Sequence, residues 1–302
     1  MTAIGSTLSG VFPIVATPFR PDRSPDAGDL ARIVDFIVDS GADGLVFPGV
    51  ASEVETLEPG ERRTLVQAVA DALRGRAPLV IGVSAASAAD AATFAAQARD
   101  VGAVAVMAVA PPSMRDDARA QVDYYRRIAA EQLTIILQNA PAPAGCGFAP
   151  ERIAGIVAEV DGIRYVKEET LPCGQRITRL LALLPSLAGV FGGAGGRYIT
   201  DELARGACGT MPACELTDLH ARQFAAHRAG DAREVRRLYN RMLPLLNFQA
   251  VFRMAMTKEV LRRRGIITST HVRAAGPALD AGDLRELDAM LDELDLATPA
   301  AA

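Results

Sequence analysis

Tryptophan is absent from the 302 residues, histidine occurs three times and cysteine four times. The cysteines are Cys146, Cys173, Cys208 and Cys214. They form no CxxC pair, and no histidine stands near them at metal-ligand spacing. That argues against a zinc knuckle and against a disulfide framework. Reduced thiols in the cytoplasm are the expected state, with no bound metal. The scattered His220, His227 and His271 are expected to be structural or surface residues. A block of one charge is missing too. Lys and Arg number 32 against 36 Asp and Glu, and the net charge of -4 is spread along the chain. Nucleic acid and anionic membrane are therefore poor partners. The run Arg262-Arg263-Arg264 is short, lies among helix formers, and is expected to be a solvated helix face. The apolar stretch around Val101 to Ala110 is too short to span a bilayer. The opening MTAIGSTLSGVF lacks a basic stretch before a long apolar one, so no signal peptide is expected.

Half of the residues are apolar, which is ample for one large core. Short apolar or β-branched runs occupy residues 10–16, 44–48, 79–83, 105–109, 134–137, 163–167, 189–191 and 209–212. Amphipathic segments such as 30–40, 60–73, 88–101 and 117–131 separate them. Eight strands alternating with helices imply parallel pairing with helical crossovers, and closure into a (β/α)8 TIM barrel. A doubly wound sheet would want a glycine-rich dinucleotide turn after its first strand. Here Ala16-Thr17-Pro18-Phe19 follows instead. The run Gly192-Gly193-Ala194-Gly195-Gly196 comes after the seventh strand, where close backbone approach to a small ligand accounts for it better. Helical segments at 214–229, 232–246, 251–264 and 283–294 follow the eighth strand. The first can complete a barrel over residues 1–228. The rest form a C-terminal helical extension of the same domain over 229–302, with a frayed tail at 297–302.

Functional groups of such a barrel sit at the C-terminal ends of its strands. Those ends carry Gly49-Val50-Ala51-Ser52-Glu53, then Gln138-Asn139-Ala140-Pro141, then Lys167-Glu168-Glu169. Lys167 ends an apolar strand and points into the barrel mouth if Ile163 and Tyr165 share its face. An amine there is either a nucleophile toward a ketone or a solvated strand-end charge. Glu169 shares the face of Lys167 if the strand continues that far, while Glu168 points outward. An amine and a carboxylate together suit imine formation and proton transfer; a plain salt bridge is the other reading. Glu53 and Glu55 are expected to order their loop. Cys208 and Cys214 are expected to pack as small residues.

On these residues the chain resembles the dihydrodipicolinate synthase/N-acetylneuraminate lyase family of class I aldolases over nearly its whole length. Thr17-Pro18-Phe19 is similar to the family's turn after strand one, and Gly49 to Glu53 to its carboxylate loop. Asn139-Ala140-Pro141 with Gly145 is similar to its Tyr-Asn-x-Pro segment, and Val166-Lys167-Glu168 to its Schiff-base strand. The resemblance implies that Lys167 forms an imine with a 2-keto acid and that no cofactor is needed. It also implies a homo-oligomer, commonly a tetramer. The chain departs from the pattern at four places. Gln138 stands where the family usually has its catalytic tyrosine, and an amide cannot act as acid or base near neutral pH. Ser113 falls near a second family tyrosine. Val50 and Ala51 replace the hydroxyl pair of the carboxylate loop, leaving backbone N–H groups and Ser52 to bind a carboxylate. Pro143 sits where the synthases carry an arginine. Glu169, two residues after the lysine, fits the spacing of the 2-keto-3-deoxy sugar-acid dehydratase branch, which Gly206 to Pro212 also resembles. The expected function is thus dehydration of such an acid. Catalysis falls to Lys167 and Glu169, and substrate binding to Val50, Ala51, Ser52, Gln138, Gly193 and Thr210. A retro-aldol lyase releasing pyruvate and a non-catalytic keto-acid-binding homologue are the alternatives.

Overall fold

A computed structural model describes residues 7–296. The eight strands are β1 (Gly10–Val11), β2 (Leu45–Phe47), β3 (Leu79–Gly82), β4 (Ala105–Ala108), β5 (Thr134–Asn139), β6 (Ile163–Glu168), β7 (Gly189–Gly192) and β8 (Gly209–Thr210). All neighbours pair in parallel, in the order β1-β8-β7-β6-β5-β4-β3-β2. The seam between β1 and β2 is closed by the bridge of Ile14 to Val46, with Val46 N donating to Pro13 O at 2.9 Å. The first strand is much shorter than the run at 10–16. Pro13 has no N–H to give the ladder, so pairing breaks there and resumes at Ile14.

The helices between the strands are α1 (Ala27–Asp39), α2 (Pro59–Leu73), α3 (Ala88–Asp100), α4 (Ala118–Ala129), α5 (Pro150–Glu159), α6 (Cys173–Leu183) and α7 (Ile199–Ala204). Their starts follow from local chemistry. Asp26 caps α1 by accepting from Gly28 N and Asp29 N, and Ser87 and Asp117 cap α3 and α4. Helix α8 (Thr217–Arg228) packs against β1, and α9 (Ala232–Phe252), α10 (Met254–Arg263) and α11 (Ala281–Glu293) follow it. Helix α9 runs past the 232–246 pattern, through Pro244, to Phe252.

Side chains sort into three apolar layers. Phe12, Val46, Val80, Met107, Ile136, Tyr165, Phe191 and Met211 fill the barrel. A larger shell lies between strands and helices, and a separate cluster joins α8 to the extension through Leu219, Leu238, Met242, Val260 and Leu287. A register irregularity between β5 and β6 puts Ile163 in the outer shell while Tyr165 faces the barrel interior. The shared face expected for Ile163, Tyr165 and Lys167 therefore begins only at Tyr165.

Of the arginine run only Arg262 is solvated as expected; Arg263 and Arg264 are docked. Arg264 pairs with Asp218 at 2.8 Å, donates to Glu215 O and lies over the Phe36 ring. Arg263 pairs with Glu259 and Asp288 and is largely covered. Glu53 is buried as a loop-ordering residue. It meets Lys258 Nζ of α10 at 2.5 Å and accepts from Arg273 N and Ala274 N. No helix among the described residues is long and apolar enough to cross a membrane. The 297–302 tail lies outside the described residues.

Candidate active site

Strands β5 and β6 place Gln138 beside Lys167 in register at the C-terminal end of the barrel. Lys167 is 4 % exposed, and its Nζ lies 3.0 Å from Oε1 of Glu169. Glu169 is one residue beyond β6, but its N–H still donates to Asn139 O at 3.0 Å. The strand geometry thus persists far enough for Lys167 and Glu169 to share a face. Gln138 Nε2 donates to the same Oε1 at 2.7 Å. One carboxylate oxygen is held by amine and amide together, and the other makes no hydrogen bond among the described residues. Gly193 lies against this pair. A Cβ there would overlap Cγ of Glu169 and Cε of Lys167, so only glycine lets both side chains stand where they do.

These groups open into a cavity of about 290 Å³ lined also by Val50, Ala51, Arg197, Gln249 and Arg253. Of the expected site residues, Lys167, Glu169, Gln138, Val50, Ala51 and Gly193 are brought together there. Ser52 and Thr210 are not. The Ser52 hydroxyl is buried, accepts from Gly49 N at 3.0 Å and donates to Val15 O at 2.5 Å, so it holds the loop's shape and has no hydrogen left for a ligand. Thr210 adjoins Met211, which faces the barrel interior, so strand alternation turns Thr210 to the helix side.

Three cavity residues had no signal in strand-end reading: Arg197 follows β7, and Gln249 and Arg253 come from the end of α9. Arg253 has φ 48° and ψ -122°. That conformation suits glycine and costs a larger residue about 1–3 kcal/mol. Such strain is kept where surrounding structure or function demands it.

Glu168 points away from the cavity as alternation requires, but not into solvent. It is fully buried, accepts from Asn139 Nδ2 and Thr170 N, and pairs with Arg176 at 3.3 Å. Burial pushes its pKa up, while Asn139 and Arg176 oppose the shift. On the same helix side, the buried Glu202 carboxylate lacks a hydrogen-bond partner among the described residues. Burial, helped by Asp201, raises its pKa from 4.5 to about 7. Between those values the unfolded chain releases this proton and the folded chain keeps it. Its contribution is full below about pH 4.5 and is lost as pH rises to about 7. Glu202→Gln is therefore expected to gain on the order of 1–3 kcal/mol over wild type at pH 8, and far less at pH 4.5. Urea unfolding at the two pH values measures this, and equal effects would contradict it.

The remaining titratable groups take no part in the cavity. Burial pushes the Cys173, Cys208 and Cys214 thiols up to about 12, so they remain protonated packing groups. It lowers His220 to about 4, leaving it neutral under Gly196. Among the described residues no group of histidines, cysteines and carboxylates could hold a metal ion.

Fold and site together define a parallel (β/α)8 barrel with an amine–carboxylate pair at the end of its sixth strand, on the face where barrel enzymes act. The chain belongs to the dihydrodipicolinate synthetase family, whose model matches residues 7–294. This is a family of lyases. One relative is the L-2-keto-3-deoxyarabonate dehydratase of Azospirillum brasilense, 28% identical over 292 residues, 95% of this chain and 94% of that one. Another is the 4-hydroxy-tetrahydrodipicolinate synthase of Methanopyrus kandleri, 29% identical over 80% of this chain and 81% of the other. A crystal structure of dihydrodipicolinate synthase from Rhodopseudomonas palustris superposes with a TM-score of 0.88 at 26% identity, covering 95% and 98% of the two chains.

Proposed function

We propose that the protein dehydrates a 2-keto-3-deoxy sugar acid through a Schiff base on Lys167, in the manner of L-2-keto-3-deoxyarabonate dehydratase. The observation that carries this is the Lys167–Glu169 pair at 3.0 Å, with an amide, Gln138, where a phenol would otherwise move protons. Lys167 Nζ attacks the keto carbon, and loss of water gives an iminium. That cation acidifies C3. Glu169 removes a C3 proton to give an enamine and returns it to the C4 hydroxyl, which leaves as water. Tautomerisation and hydrolysis release a keto-acid semialdehyde and free Lys167. The iminium is the electron sink. Val50 and Ala51 offer backbone N–H groups to the substrate carboxylate, and Gln138 fixes the orientation of Glu169.

The similarity to the Azospirillum dehydratase supports the reaction class, and the Lys167–Glu169 spacing supports it independently. A retro-aldol lyase would share the imine but release pyruvate and an aldehyde, which product analysis separates. The protein is proposed to act in the cytoplasm as a homotetramer. Incubation with pyruvate and borohydride is expected to add one reduced keto-acid mass, confined to the peptide holding Lys167. Labelling elsewhere, or none, would refute the imine. The same preparation in sedimentation equilibrium reads the assembly, and a one-chain mass at micromolar concentration would refute the tetramer.

A further inference from the structure

The cavity above Lys167 carries more positive charge than the imine chemistry uses. Its charged lining is Lys167, Arg197 and Arg253 against one carboxylate, Glu169. Lys167 and Glu169 balance each other at 3.0 Å. Neither Arg197 nor Arg253 has a carboxylate within salt-bridge distance, or donates a side-chain hydrogen bond, among the described residues. Other cavity-lining arginines are engaged: Arg62 donates to Gly82 O and Ser84 O and lies over the Phe94 ring. Arg253 is exposed and Arg197 half-buried, and two guanidiniums without protein partners on residues that line one small cavity make a site for two anionic groups.

Their positions divide the work. Arg253 shares with Val50 the walls of this cavity and of both larger cavities beside it, which puts it next to the turn that has lost its hydroxyls. Arg197 stands on the β7 side. A Cβ on Gly195 would lie 3.5 Å from Arg197 Nη1 and 3.9 Å from Gln249 Oε1, so these two polar ends converge over Gly195. The strained backbone of Arg253 holds a side chain where a glycine would fit better.

We infer that the substrate carries a second anion, and that Arg253 and Arg197 with Gln249 bind its two ends. Arg253 meets the carboxylate next to the keto carbon. Arg197 and Gln249 meet the distal group, a carboxylate or a phosphate monoester. The sugar acid is then a dianion, not an acid with a neutral hydroxymethyl end. This rests on the imine reading above for the position of the keto carbon.

The test titrates borohydride trapping of the full chain with three acids. These are 2-ketoglutarate, 2-keto-4-phosphonobutyrate and the neutral-ended 2-oxopentanoate. The dianions are expected to half-saturate trapping at concentrations about tenfold or more below the neutral-ended acid. Arg197→Met should shrink that ratio, while Arg253→Gly should raise the half-saturating concentration of all three acids together and leave the ratio nearly unchanged. Arg253→Gly also relieves the backbone, so its thermal midpoint should be at or above wild type, which separates lost binding from lost folding. The better dianion identifies the distal group as carboxylate or phosphate-like. Equal half-saturation by all three acids, a ratio that Arg197→Met does not move, or half-saturation that Arg253→Gly leaves unchanged for every acid overturns the inference. Failure of pyruvate to label Lys167 removes the imine reading by itself. The anion preference is then read from calorimetric titration of the same acids. A tenfold preference lost in Arg197→Met upholds it, and no preference overturns it.

Discussion

Glu169→Gln is expected to lower turnover by about 10²–10⁴-fold while Lys167 is still trapped by borohydride. The substitution keeps the size of the side chain and its place beside Lys167 and Gln138, and removes the one group of the trio that can both take and return a proton once Lys167 is tied up in the iminium. Gln138 donates to Glu169 and cannot share the task. Lys167→Arg is expected to abolish turnover and trapping together, because a guanidinium does not form the imine. The two variants therefore separate proton transfer from covalency. Single-turnover kinetics with mass analysis of the reduced adduct makes the comparison, and near-normal turnover in Glu169→Gln would end the mechanism. Glu168→Gln is a different experiment from the one its outward direction suggests. Its carboxylate is built into a buried network with Asn139, Thr170 and Arg176, so its loss should register in stability before it registers in the pH profile.

Lys258→Met is expected to cost about 3–5 kcal/mol of folding stability, the range for removing one partner of a buried ion pair. Lys258 and Glu53 are both fully buried, and Lys258 also donates to His271 O and lies over the Phe19 ring. Burial lowers the lysine to about 8, against the pull of Glu53. Without the ammonium, Glu53 keeps its backbone donors at Arg273 and Ala274 but loses its counter-charge. The double variant Glu53→Gln with Lys258→Met should recover much of the loss, since no buried charge is then left alone. Denaturant unfolding of the three variants measures the coupling. A single-variant cost below about 1 kcal/mol would show that the pair is not treated as buried by the solvent. Glu53 closes the turn that carries Val50 and Ala51, so this pair also ties the backbone of that turn to α10.

The periodicity that revealed eight strands and the helices between them depends on local alternation, which a sequence displays directly. The same is true of Lys167 and Glu169, whose common face follows from their spacing on one strand. Ser52 shows where such reading fails. Its hydroxyl was a natural ligand for a carboxylate, but Val15 O and Gly49 N reach it first, and that competition depends on a neighbouring strand. Thr210 failed through parity, set by where β8 begins. Arg253 and Arg197 were illegible because they enter the cavity from the end of α9 and from a glycine-rich loop, not from the strand-end motifs. The arginine run at 262–264 read as solvated because a helix carries no mark of what docks on it. Asp218 and Phe36, both remote in sequence, supply that partner.

At the end of β6 the barrel wall is a single residue thick. Glu168 and Glu169 are chemically alike and adjacent, but the chain delivers one to each side of that wall. On the helix side the carboxylate is closed off from water and held by an amide, a guanidinium and a backbone N–H. On the mouth side it keeps one oxygen open to whatever enters. A one-residue insertion or deletion within β6 would exchange the two compartments, sending Lys167 into the shell and a different glutamate to the mouth. The strand is thus a two-position selector, and the register slip opposite Ile135 and Ile136 sets its position.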